Sequence, residues 1–290
     1  MRVLLTGASG QVGTALLRSA PEHMQCHIPS RALLDLRDPA SIRSAVASCR
    51  PELIINAAAY TQVDKAEAER DLAFAVNVDG PRHLAEAARG ISDCRLIHLS
   101  TDYVFDGRAS SAYKTGDATN PVNFYGRTKL LGERAVLESM RTRALVVRTA
   151  WVYASSGRNF LLTMLRLMRE VGEVRVVDDQ FGTPTAAGSV ARALWRLAEM
   201  PHSAGILHWT DDGVASWYQF ACAIAEDALA AGVLQHAPQV TPITAQEYPT
   251  PARRPARSVL DTMELAVLTG LKPTPWRESL RVTLSGMSAG

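Results

Sequence analysis

The chain has 290 residues, with 31 Lys and Arg set against 29 Asp and Glu for a formal net charge of +2. The charges are interspersed, so no basic stripe argues for a nucleic-acid or membrane partner. No apolar run approaches the ~18 residues of a membrane span, and Met1-Arg-Val-Leu-Leu reaches glycine too soon for a signal peptide. Cys26, Cys49, Cys94 and Cys222 form no C-x-x-C pair. The expectation is a cytoplasmic protein with reduced thiols.

In chain order, Arg2-Val-Leu-Leu-Thr6 is a short apolar run that predicts a buried strand. Gly7-Ala-Ser-Gly10-Gln-Val-Gly13 follows at once, and Thr14-Ala-Leu-Leu-Arg18 has helical apolar spacing. Strand, glycine turn and helix in that order form a dinucleotide cradle. Gly7 permits the tight turn, Gly10 lets a pyrophosphate approach the backbone, and Gly13 lets the helix pack close. Free N–H groups at the helix start then face the phosphates. Gln25-Cys-His-Ile-Pro29 reads as the second strand, and Ser30-Arg31 stands where an NAD site usually has an acid. A hydroxyl and a guanidinium suit a 2′-phosphate, so NADPH is the expected cofactor, with NADH possible.

Asp38-Pro39 predicts an N-cap with proline at the first helical position, opening a helix to about Cys49. Leu53–Asn56 is a third buried strand, Asp71–Arg89 a long helix, and Arg95–Ser100 a fourth strand. His98 alternates with apolar residues there and reads as packed core; the seven histidines show no metal-ligand spacing. Asn123-Phe-Tyr-Gly-Arg-Thr-Lys129 opens the next helix, and Ala144–Arg148 is the next strand. The repeating unit predicts an α/β protein with a doubly wound parallel sheet of the Rossmann type. Residues 1–150 form the dinucleotide-binding core. Residues 151–290 form a smaller substrate-binding portion, with some segments returning to the core.

Tyr125 and Lys129 are one helical turn apart, so a phenol and an ammonium share a helix face. A phenol titrates near ~10, and an adjacent cation would move it toward the working pH. Thr101, at the carboxyl edge of the fourth strand, is placed to orient a carbonyl oxygen within reach of that phenol.

This run of motifs resembles the extended short-chain dehydrogenase/reductases, in which a Ser or Thr, a Tyr and a Lys perform hydride chemistry. Five blocks narrow the resemblance to the dTDP-4-dehydrorhamnose reductases: residues 56–67, 100–107, 148–153, 179–185 and 248–255. The resemblance implies reduction of a nucleotide-linked 4-keto sugar with Thr101, Tyr125 and Lys129 catalytic. It places Gly10, Gln11 and Val12 at the pyrophosphate, Ser30 and Arg31 at the adenosine ribose, and Asp35 and Leu36 at the adenine. Ala59, Tyr60 and Thr61 would lie along the cofactor, and Lys129 would bind the nicotinamide ribose. Thr101 and Asp102 would contact the keto-sugar, Trp151 would lie against the hexose or nucleotide, and Arg253 and Arg254 would face the diphosphate.

Some members hold an interface magnesium on acids that correspond here to Ala15 and Gly188. Neither can ligate a metal, so no such magnesium is expected, and the chain is expected to be a monomer or weak homodimer. Tyr103 stands where the related 4,6-dehydratases need a glutamate, which argues against elimination. Intact Thr101, Tyr125 and Lys129 favour an enzyme over a non-catalytic NADP-binding subunit such as the β subunit of methionine adenosyltransferase.

Overall fold

The computed structural model describes residues 1–288. Its first half alternates strand and helix: β1 (Arg2–Thr6), α1 (Gln11–Arg18), β2 (Gln25–His27), α2 (Pro39–Cys49) and β3 (Leu53–Asn56). Then come α3 (Arg70–Phe74), α4 (Gly80–Arg89), β4 (Arg95–Thr101), α5 (Phe124–Met140) and β5 (Ala144–Thr149). Every residue of β3 and β5 is buried, as a strand covered by helices on both faces requires. The Asp38 carboxylate accepts from the Ala40 N–H at 2.8 Å and starts α2 with Pro39 in the first turn.

The second half contains β6 (Val152–Tyr153), α6 (Phe160–Glu170), β7 (Glu173–Val177), β8 (Phe181–Gly182), β9 (Thr185–Ala186) and α7 (Ala187–Ala198). It ends with β10 (Gly205–His208), β11 (Ala215–Ser216), α8 (Trp217–Ala230), β12 (Gln239–Ile243), α9 (Met263–Thr269) and α10 (Trp276–Ser288). The main sheet is six-stranded and parallel, in the order β10-β5-β4-β3-β1-β2. Chain order reverses beside β1, and the crevice outside the carboxyl ends of β1 and β3 is where such sheets bind ligands.

Residues beyond 150 divide between two cores. β10 extends the sheet past β5, and α7 and α9 return to it, with Val190, Leu194 and Leu265 packed in one cluster with Leu16 and Leu53. A second core surrounds Phe220 and joins α6, β7, α8 and α10. The crevice therefore has the sheet ends on one side and this second body on the other.

Two elements differ from the sequence reading. β2 stops at His27 because Pro29 has no N–H to continue the ladder. The long helix expected over residues 71–89 is interrupted by a π-helical turn, Ala75–Asp79, between α3 and α4. Pro81 at the start of α4 has no N–H for the regular i→i−4 bond, and the ladder widens there. Gly80 adds close packing, since a Cβ would lie 2.9 Å from that of Leu36. The wider turn carries fully buried Asn77 toward the site.

Candidate active site

The glycine turn has the geometry a dinucleotide needs. Gly7 has φ +71°, a left-handed conformation that favours glycine, and an added Cβ would lie 2.5 Å from the Ala58 nitrogen. A Cβ on Gly13 would overlap the Gly7 carbonyl, so only glycine lets α1 approach the turn this closely. Gly10 caps α1 without any side-chain acceptor, which leaves the first N–H groups of the helix for an anion. The Gln11 side chain is engaged elsewhere, its Oε1 accepting from Asn159 Nδ2 at 2.9 Å. Asn159 in turn caps α6, so the phosphate turn is tied to the second body.

Beyond β2, Ser30 and Arg31 are exposed and free to meet a ribose phosphate. The nearby acid is already engaged: Arg37 hydrogen-bonds Asp35 at 2.9–3.1 Å and holds its carboxyl down to about 2. Leu36 is buried in the core under α2 and α4 rather than open to a base. Ala59 and Thr61 reach the surface, whereas Tyr60 turns inward and donates to Glu69 at 2.7 Å.

Tyr125 is set at the start of α5 by two caps, one local and one from a distant segment. Asn123 accepts from the Gly126 N–H at 2.8 Å, and Glu67 accepts from the Phe124 N–H at 2.8 Å. A Cβ on Gly126 would overlap the Tyr103 carbonyl, so glycine lets α5 press against the turn after β4. That contact brings the Thr101 hydroxyl to the Tyr125 phenol. The Tyr103 ring meets Tyr125 edge-on, with centroids 5.9 Å apart.

The expected lowering of the Tyr125 phenol is corrected by the fold. Burial pushes it above its ordinary value, the Thr101 hydroxyl pulls it back, and Asp102 pushes it up. The Lys129 ammonium, although on the same helix face, donates to the Leu99 carbonyl at 2.7 Å. Burial lowers Lys129 to about 8, while Glu133, one turn further on, favours its charge. Tyr125 is therefore held protonated at neutral pH, as a proton donor must be.

The residues expected at the substrate are rearranged as well. Asp102 is only 2% exposed, and its carboxyl faces Thr101 and Ser258 beneath the cleft. Arg254 does not stand free for a diphosphate: its guanidinium grips Asp64 at 3.1 and 2.7 Å and pins the proline-rich segment. The Arg253 carbonyl accepts from Asn123 at 2.8 Å while its side chain stays exposed. Trp151 has φ +47°, a strained conformation for a bulky residue. Its indole lies flat on that of Trp217, with centroids 3.4 Å apart, in space that Gly182 leaves open.

The sequence reading did not single out three residues. Trp217 supplies the second indole. Asn77 accepts from the Tyr60 N–H at 2.8 Å and donates to Thr128 at 3.1 Å, joining the cofactor loop to α5. Glu67 caps α5. Of these, only Trp217 carried a local signal, because Ser216 and Gln219 form a capping box that fixes where α8 begins.

The family model described as the RmlD substrate binding domain matches residues 1–288. The chain belongs to the dTDP-4-dehydrorhamnose reductase family. A dTDP-4-dehydrorhamnose reductase of Aggregatibacter actinomycetemcomitans is 40% identical over 287 residues, 97% of each chain. The crystal structure of a dTDP-4-dehydrorhamnose reductase from Clostridium acetobutylicum superposes with a TM-score of 0.91 at 35% identity, covering 99% of both chains. A Bacillus anthracis dTDP-4-dehydrorhamnose reductase solved with NADP has a TM-score of 0.90 at 34% identity, covering 97% of this chain and 98% of that one.

Ala15 and Gly188 stand on α1 and α7, which lie side by side, and neither offers an oxygen ligand. Among the described residues no group of three or more His, Cys, Asp or Glu could hold a metal ion.

Proposed function

We propose that this chain reduces the 4-keto group of dTDP-4-dehydro-6-deoxy-L-mannose with NADPH and yields dTDP-L-rhamnose. The observation that carries the reading is membership of a reductase family over nearly the whole chain, together with the approach of Thr101 to Tyr125 at the end of β4. NADPH supplies the hydride when bound, and the chain's own residues do the rest. Gly7, Gly10, Gln11 and Val12 hold the pyrophosphate through backbone N–H groups, and Ser30 with Arg31 takes the 2′-phosphate. Thr101 hydrogen-bonds the ketone oxygen and keeps it within reach of the phenol. Tyr125 donates its proton to the alkoxide that develops there. Lys129 binds the nicotinamide ribose and supplies positive charge beneath the site. The stacked Trp151 and Trp217 form an apolar wall for the sugar nucleotide.

NADP bound to the Bacillus anthracis relative supports the cofactor assignment. The exposed Arg31, with no free acid beside it, supports preference for the phosphorylated form. The test is spectrophotometric. NADPH absorbance is followed with a panel of nucleotide-linked 4-keto sugars, and each assay is repeated with NADH. Oxidation that depends on dTDP-4-dehydro-6-deoxy-L-mannose and runs faster with NADPH supports the reading; no loss of absorbance with any sugar defeats it.

A further inference from the structure

Two side-chain amides join the pyrophosphate turn to the far wall of the crevice. Gln11 is the first residue of α1, so phosphates that dock on its backbone N–H also fix where its side chain starts. Its Oε1 accepts from Asn159 Nδ2 at 2.9 Å, and its Nε2 reaches the Val152 carbonyl at 3.5 Å. Asn159 is fixed in turn. Its Oδ1 caps α6 by accepting from the Leu162 N–H at 3.0 Å, and its Nδ2 also donates to the carbonyls of Ala154 at 2.9 Å and Ser156 at 3.3 Å. Both contacts of Gln11 lead on to the paired indoles. Val152 follows Trp151, whose φ of +47° persists because its neighbours hold it. Phe160 follows Asn159, and its ring meets Trp217 with centroids 4.7 Å apart and Phe220 at 5.4 Å. Gln11 therefore reaches both arms of the wall formed by Trp151 and Trp217, although α1 itself packs in the sheet core.

We infer that the Gln11–Asn159 pair makes cofactor and sugar-nucleotide binding cooperative, because a phosphate on the glycine turn sets the indole wall. The inference rests on the reductase reading above and deepens it. The sheet core and the Phe220 core are separate bodies on either side of the crevice, so their spacing is the element that both ligands bias. NADPH fixes the backbone of the turn. Through the two amides it then sets the start of α6 and the strand that carries Trp151. A nucleotide laid against the indoles meets a wall already in place, and its apparent affinity rises by the cost of ordering that wall. By linkage, the sugar nucleotide tightens NADPH by the same factor. Both amides act through the indoles and the backbone, which makes them positioning residues.

The test uses the full chain, NADPH and dTDP. The Kd of NADPH is measured by energy transfer from tryptophan to the nicotinamide, with and without saturating dTDP. The Kd of dTDP is measured by calorimetry, with and without saturating NADPH. Each ligand is expected to tighten the other by the same factor, ~5-fold or more. Asn159→Ser keeps a good helix cap but is too short to reach Gln11, and Gln11→Leu keeps the stem and removes the acceptor. In either variant the factor falls below about twofold. The double variant loses no more than each alone, since the same bond is broken in all three. In Asn159→Ser at saturating NADPH, KM for dTDP-4-dehydro-6-deoxy-L-mannose rises by the lost factor, and kcat changes less than KM does. A merely structural role lowers Tm and weakens both ligands yet leaves the factor at its wild-type size, and that result overturns the inference. So does wild-type protein that binds the two ligands independently. Wild-type protein that binds NADPH but neither dTDP nor any sugar of the panel removes the nucleotide-sugar reading, and the inference with it.

Discussion

Glu133→Gln removes one charge from the most deeply buried ion pair among the described residues. Glu133 on α5 and Arg148 on β5 are 1% and 2% exposed and share hydrogen bonds of 2.9 and 2.7 Å. After the substitution Arg148 keeps its charge with only the Phe105 ring, 5.1 Å from the guanidinium carbon, and His208 beside it. His208 cannot compensate, since burial first and Arg148 second hold it down to about 4, where it is neutral at working pH. Breaking a buried pair from one side costs ~3–5 kcal/mol. At ~2 °C per kcal/mol for a chain of this size, Tm falls by ~6–10 °C. Calorimetry and urea unfolding measure the change, with Glu170→Gln as control. Glu170 pairs with Arg166 at 2.7 Å, but the two side chains are 56% and 59% exposed, so the control shifts stability by less than ~1 kcal/mol. The double variant Glu133→Leu with Arg148→Met recovers much of the loss, because no charge is then left buried. If Glu133→Gln costs no more than Glu170→Gln, the reasoning about this pair is wrong.

Two further predictions follow from charge. Arg31→Ala removes a charge-assisted contact worth ~1.5–3 kcal/mol, so KM for NADPH rises by roughly 10- to 100-fold while KM for NADH changes by less than about twofold. Steady-state kinetics with both cofactors measures the ratio, and equal effects on the two would remove Arg31 from the 2′-phosphate. Lys129→Met abolishes turnover yet raises stability at pH 7. Burial lowers Lys129 from 10.5 to about 8, so below about 8 the fold carries the full cost of its charge. Between about 8 and 10.5 the unfolded chain holds the extra proton and that cost fades. The Tm gain of the variant therefore shrinks as pH rises from 7 to 10, and a gain that is absent at pH 7 or grows with pH would contradict the assignment.

What could be read from the sequence was whatever local backbone chemistry dictates. Gly7, Gly10 and Gly13 follow from steric demands within one turn, and Tyr125 and Lys129 from the helical repeat. The fates of the charged groups were hidden because their partners are remote in sequence. Lys129 is bound by a carbonyl of β4, Arg254 by Asp64 at a separation of 190 residues, and Phe124 by Glu67 across 57. The resemblance places Asp102 at the keto-sugar, but the burial of its carboxyl by the short 3-10 turn Asp102–Val104 carries no local sequence signal. The π turn at Ala75–Asp79 was also hidden, since its apolar spacing differs little from that of a regular helix and only the packing of Gly80 on Leu36 betrays it.

The central claim is that Tyr125 gives the proton as hydride reaches the sugar carbonyl. Single-turnover NADPH oxidation by Tyr125→Phe, at saturating dTDP-4-dehydro-6-deoxy-L-mannose, tests it most directly. The account predicts a rate lowered by ~10²–10⁴-fold with NADPH affinity unchanged. A Phe variant that oxidises NADPH at the wild-type rate would contradict it.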